Sequence, residues 1–172
     1  MKRKAMTFLI ILICFLIQST ILETLVLGSI RPNLLLIVVT AFGFIRGKKT
    51  GIWVGVICGL FADVFWGNLL GFYTLIYVII GYINGAFRRL FYDEDIKLPL
   101  ALVGMSEMLY GIMVYFCMFM LQGEFDFFYY LFHIILPELV YTVLVTLILY
   151  QLILCFNRKL EEEEQRSASR FV

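Results

Sequence analysis

The chain has 172 residues, 62% of them hydrophobic and 16% charged, with a mean hydropathy of +0.94 and a formal net charge of +1. Soluble domains carry roughly 25% charged and about 45–50% apolar residues, so a single water-soluble core cannot hide this much apolar side chain, and a bilayer is expected to do so. The charge balance gives no support to nucleic-acid binding.

In chain order, six apolar stretches long enough to be read as membrane-spanning helices lie at about 6–27, 34–45, 50–66, 69–87, 98–121 and 134–156 of one membrane domain covering 1–172. The start, Met1-Lys2-Arg3-Lys4 before an apolar run, has the look of a signal peptide. The run outlasts the roughly 7–15 residues of such a segment, and Val26-Leu27-Gly28 is a poor cleavage site, so it is read as a retained span. Arg31 and Pro32 mark the first turn, and Arg46-Gly47-Lys48-Lys49 ends the second stretch. Gly67-Asn68 turns the chain before the fourth stretch, which Arg88-Arg89 closes. The acidic segment 92–97 and the loop 122–126 flank the fifth stretch, the aromatic run 127–132 leads into the sixth, and 157–172 forms a charged tail. Helices are expected throughout, because a backbone in lipid must satisfy its own hydrogen bonds and alternating strands are absent. The class expected is an all-α membrane bundle of six transmembrane helices. Between Pro32 and Arg46 lie only 13 residues, about 20 Å of helix against a hydrocarbon core of about 30 Å, which favours shelter among longer neighbours.

Cations set the expected threading. With the N-terminus cytoplasmic, thirteen of the fourteen Lys and Arg residues fall on one side and Arg31 alone on the other. That bias places both termini in the cytoplasm.

The most informative segment is 47–71. Gly51, Gly55 and Gly59 recur every four residues on one helix face, with Asp63 a turn beyond and Gly71 further along. Small residues at this spacing let another helix approach closely. The face is either a docking groove for a partner's helix or an internal packing surface. Asp63, Glu23 and Glu138 all fall in outer portions of their stretches, and Arg31 is the outer cation, so Arg31 is a candidate counter-ion for Asp63 or Glu23. Glu107 sits near the middle of the fifth stretch and is expected to face the bundle interior, as part of a solute or proton pathway or as a hydrogen-bonded interior acid. Pro137 is expected to kink the last span near Glu138. Pro32 is expected to fix the first turn.

Cys14, Cys58, Cys117 and Cys155 each lie in apolar sequence at no metal-like spacing, and there is a single histidine, so no metal or cofactor is expected. No nucleophile–base set or phosphate-cradling loop is present in the sequence, and a non-enzymatic protein is expected.

Arg31-Pro32-Asn33-Leu34-Leu35, the run Gly51-x-x-x-Gly55-x-x-x-Gly59-Leu60-x-x-Asp63, and then Gly67 and Leu70-Gly71 closely resemble the MreD family, rod shape-determining membrane proteins of bacteria. Length, six spans and a late proline-bearing span match across the chain; the glycine–aspartate segment is the specific part. The resemblance implies Pro32, Gly51, Gly55, Gly59, Asp63, Gly71 and Pro137 as family positions. It also implies a scaffold of cell-wall elongation in the bacterial cytoplasmic membrane. Such a scaffold binds the bitopic protein MreC and, with MreB, helps position RodA and its penicillin-binding protein in peptidoglycan synthesis. The family is similar in fold to the substrate-binding subunits of energy-coupling-factor transporters, which makes a vitamin-like solute-binding subunit the alternative. Against it, the row Ile10, Cys14, Gln18 and Leu22 of the first span lacks the small residues with which such subunits dock.

Overall fold

The computed structural model describes residues 2–21, 31–67, 69–88, 97–119 and 126–168, and among them the regular structure is all helical. Helix α1 is Lys2–Leu16, prolonged by a π turn over Ile17–Ile21. Helices α2 (Leu34–Arg46), α3 (Lys48–Phe65) and α4 (Phe72–Phe87) follow. Helix α5 is Lys97–Val114, prolonged by a π turn over Tyr115–Phe119. The last rod is continuous: α6 (Phe127–Tyr130), a π turn over Leu131–Ile135, then α7 (Leu136–Ala168). The stretches Leu98–Met118 and Phe127–Phe156 are each long and apolar enough to cross a membrane, while Lys4–Thr20, Leu34–Arg46 and Phe72–Phe87 are shorter apolar helices.

Helix α2 is the axis of the bundle. Its sequence, LLLIVVTAFGFIR, has no polar face, and every residue from Leu34 to Gly43 is buried. A helix that is hydrophobic all round must be covered by protein or by lipid, and here α1, α3, α4, α5 and α7 all pack on it. Its N-terminus is held by side chains. Asn33 Oδ1 accepts the Leu36 amide at 3.1 Å, and Gln18 Oε1 accepts that of Leu35 at 3.1 Å. These occupy two of the amides that a helix start leaves without partners.

Three boundaries differ from the sequence reading. The expected loop 46–49 shrinks to Gly47, whose φ of +90° lies in the left-handed region that suits glycine. It joins α2 directly to α3, and a Cβ on Gly51 would lie 3.0 Å from Gly43 Cα, so the two helices meet at this end. Helix α4 begins at Phe72 rather than 69, because Gly71 takes a left-handed turn at φ +97°. The aromatic run 127–132 is helical rather than a lead-in, with the Tyr130 amide bonded to Asp126 O at 3.1 Å. Pro137 is the second residue after the π turn, at whose end the Leu136 amide reaches back to Leu131 O. Widening the turn there relieves the clash that a proline ring makes with the carbonyl four residues earlier.

Candidate functional site

The glycine face of α3 is filled by the chain's own α4. A Cβ placed on Gly51 would lie 2.3 Å from Gly81 O, one on Gly55 2.6 Å from Tyr77 O, and one on Gly59 2.3 Å from Thr74 Cα. The fit is reciprocal: a Cβ on Gly81 would meet Gly51 O at 2.3 Å, and one on Gly85 would meet the Lys48 backbone at 2.5 Å. Backbone therefore lies directly on backbone along an antiparallel seam, where contact is largest and weak Cα–H bonds are possible. Gly43 of α2 closes the same junction, 3.0 Å from Gly81 O by the same measure. The docking-groove alternative is thus corrected: this face is internal packing.

Asp63 continues the seam by one turn. It is 1% exposed, and its carboxylate accepts the amides of Tyr73 at 2.8 Å, Gly71 at 2.9 Å and Thr74 at 3.2 Å, together with the Thr74 hydroxyl at 2.5 Å. An acid in the last turn of α3 opposes that helix's own dipole, whereas at the start of α4 it is favourable and supplies the missing acceptors. Asp63 is therefore a cap for the following helix. The expected ion pair with Arg31 is corrected, since these amides and this hydroxyl are the partners the carboxylate takes. Glu23, the other proposed partner of Arg31, lies outside the described residues.

Three further singled-out residues, Arg31, Pro32 and Glu138, meet where α1 finishes and α2 begins. Gln18, Arg31, Pro32, Asn33, Tyr110 and Glu138 line a cavity of about 350 Å³, walled also by Tyr73 and Tyr77. Tyr110 lies between those two, with ring centroids 6.3 Å from Tyr73 and 5.7 Å from Tyr77. Tyr77 donates its hydroxyl hydrogen to Asn33 Oδ1 at 2.9 Å, and the Asn33 amide donates to Thr142 Oγ1 at 3.2 Å. Buried Asn33 thus ties α2, α4 and α7 together. Glu107 is one turn below Tyr110 on the same helix face, 1% exposed, and neither carboxyl oxygen has a hydrogen-bond partner. It lies within electrostatic reach of Glu138, Tyr77 and Tyr110.

Orphaned buried polar groups cost about 1–3 kcal/mol. A Glu107→Leu chain is accordingly expected to be at least as stable as the parent, as read by thermal unfolding in detergent. A fall in Tm would show that the carboxyl holds a partner after all.

Asn84, Gly81 and Gly85 were not singled out from sequence, and Asn33 entered only as part of the motif at 31–35, with no structural role. Asn84 donates to Ser106 Oγ at 2.8 Å and to Ile80 O at 2.9 Å, linking α4 to α5. Signals were available: an asparagine directly before an apolar run reads as a helix cap, and Gly81-x-x-x-Gly85 repeats the spacing of α3.

Comparison with protein families matches residues 2–160 to the rod shape-determining protein MreD. The chain belongs to the MreD family. The match spans the glycine seam, the Asp63 cap and the cavity alike, so all three are features of an MreD-family membrane protein with a role in rod shape determination. No curated protein and no solved structure was found to match it.

Proposed function

We propose that this MreD-family protein is a non-enzymatic, multi-pass scaffold of the cell-wall elongation machinery. It binds an MreC-like bitopic protein and, through it, helps position peptidoglycan synthesis with MreB, RodA and a penicillin-binding protein. The observation that carries the reading is the family match over 2–160. Six membrane spans with both termini cytoplasmic complete the proposal. It is supported by the gathering of Lys4, Arg46, Lys49 and Arg88, from three separate parts of the sequence, around one groove.

The seam contributes to partner binding by keeping the bundle compact, since its glycines are already covered. Gly55→Leu is expected to abolish co-purification of the MreC-like protein together with monodisperse behaviour of the chain. Leu60→Ala, on an exposed position of the same helix, is expected to leave both intact. A monodisperse parent chain that fails to capture the MreC-like protein would refute partner binding. Normal folding of Gly55→Leu would refute the compactness argument.

One observation favours a second reading, a small-solute-binding subunit with the fold of energy-coupling-factor substrate-binding subunits. The tyrosine-walled cavity of about 350 Å³ is the right size for a small molecule and has Glu107 buried beside it. Mass spectrometry of the purified protein would reveal a retained solute if this reading holds.

A further inference from the structure

A second concavity, of about 730 Å³, lies between the starts of α1 and α3 and the ends of α2 and α4. Its chemistry is graded along the helices. At one end stand Lys4, Lys49 and Arg88; one to two turns along come Phe8, Trp53 and Ile57. From Lys49 to Ile57 is eight residues, or about 12 Å of helix. Among the described residues, no carboxylate lines the groove. Lys48, by contrast, is turned to the Tyr82 ring, with Nζ 4.9 Å from its centroid. Arg46 donates to Thr7 Oγ1 at 2.7 Å and lies over Phe42. Trp53 is 69% exposed at the groove, an amphipathic ring of the kind that sits at headgroup level.

A basic rim above an apolar wall matches a molecule with a negative head and a hydrocarbon chain. We propose that this groove is a binding site for an anionic phospholipid, its phosphate among Lys4, Lys49 and Arg88 and an acyl chain along Trp53 and Ile57. Charge complementarity selects the anionic head, since juxtamembrane Lys and Arg each add attraction to acidic lipid. The apolar wall selects a lipid over free phosphate.

The sequence contains two tryptophans, so a Trp66→Phe chain leaves Trp53 as the single indole reporter. In phosphatidylcholine nanodiscs, brominated phosphatidylglycerol is expected to half-quench Trp53 at a mole fraction at least about threefold below that needed with brominated phosphatidylcholine. The double change Lys49→Gln with Arg88→Gln is expected to erase that difference, and Arg31→Gln, at the other end of α2, to preserve it. Native mass spectrometry of the parent chain gives an independent reading: phosphatidylglycerol adducts should survive where phosphatidylcholine adducts do not. Equal quenching by the two lipids, or a preference untouched by the double change, would overturn the site. So would adducts of inorganic phosphate or an acidic peptide in place of lipid.

Discussion

Gly51→Ala is expected to destabilise the protein by roughly 3 kcal/mol, at the upper end for overpacking. The added methyl would lie 2.3 Å from Gly81 O and 2.9 Å from Gly81 C. Both are backbone atoms, so no side chain can swing aside and α3 and α4 must separate. Separation would weaken the neighbouring contacts at Gly55 and Gly59, which depend on the same interhelical distance. Gly81→Ala should match it, because its methyl meets Gly51 O at the same 2.3 Å. Two other glycines act as controls. Gly104 would meet only Val143 Cγ2 at 3.7 Å, an ordinary contact. Gly104→Ala should therefore be neutral or slightly stabilising through helix propensity. Gly71 has open space around it but a φ of +97°, so alanine there should cost only about 1 kcal/mol of backbone strain. Denaturant unfolding in detergent orders the four variants. Equal stability of Gly51→Ala and Gly104→Ala would show that the seam is not tight.

Asp63→Ala is expected to cost about 3 kcal/mol, more than an ordinary cap, because three backbone amides and one hydroxyl lose a charged acceptor together. The loss should be local before it is global. Amide hydrogen exchange at Tyr73 and Thr74 should accelerate in the variant, while exchange in the middle of α2 changes least. Thr74→Val removes only the hydroxyl bond and should cost about 1 kcal/mol. The paired exchange Asp63→Arg with Arg31→Asp should not restore stability, since the carboxylate is committed to α4. Rescue by that pair would return Asp63 to the role of an ion-pair partner.

The two variants bear on function through the same element. Helix α4 supplies one side of the glycine seam and, through Tyr73 and Tyr77, a wall of the polar cavity. Loosening α4 is therefore expected to disturb both.

Composition alone pointed to a membrane chain, because the proportion of apolar side chain exceeds what one soluble core can enclose. The four-residue glycine spacing was equally plain, since 3.6 residues per turn puts Gly51, Gly55, Gly59 and Asp63 on one face whatever they touch. Periodicity gives a face but no occupant. Only the packed structure decided that α4 fills it, that Asp63 caps the next helix, and that the thirteen residues of α2 become the buried axis. Asn33, Tyr77 and Glu138 stand 44 and 61 residues apart along the chain, yet they line one cavity. The physical reason is the range of the forces involved. Hydropathy and helical period act through neighbouring residues and can be read locally. Close backbone contact, long-range capping and a shared cavity arise only once distant helices have chosen their partners.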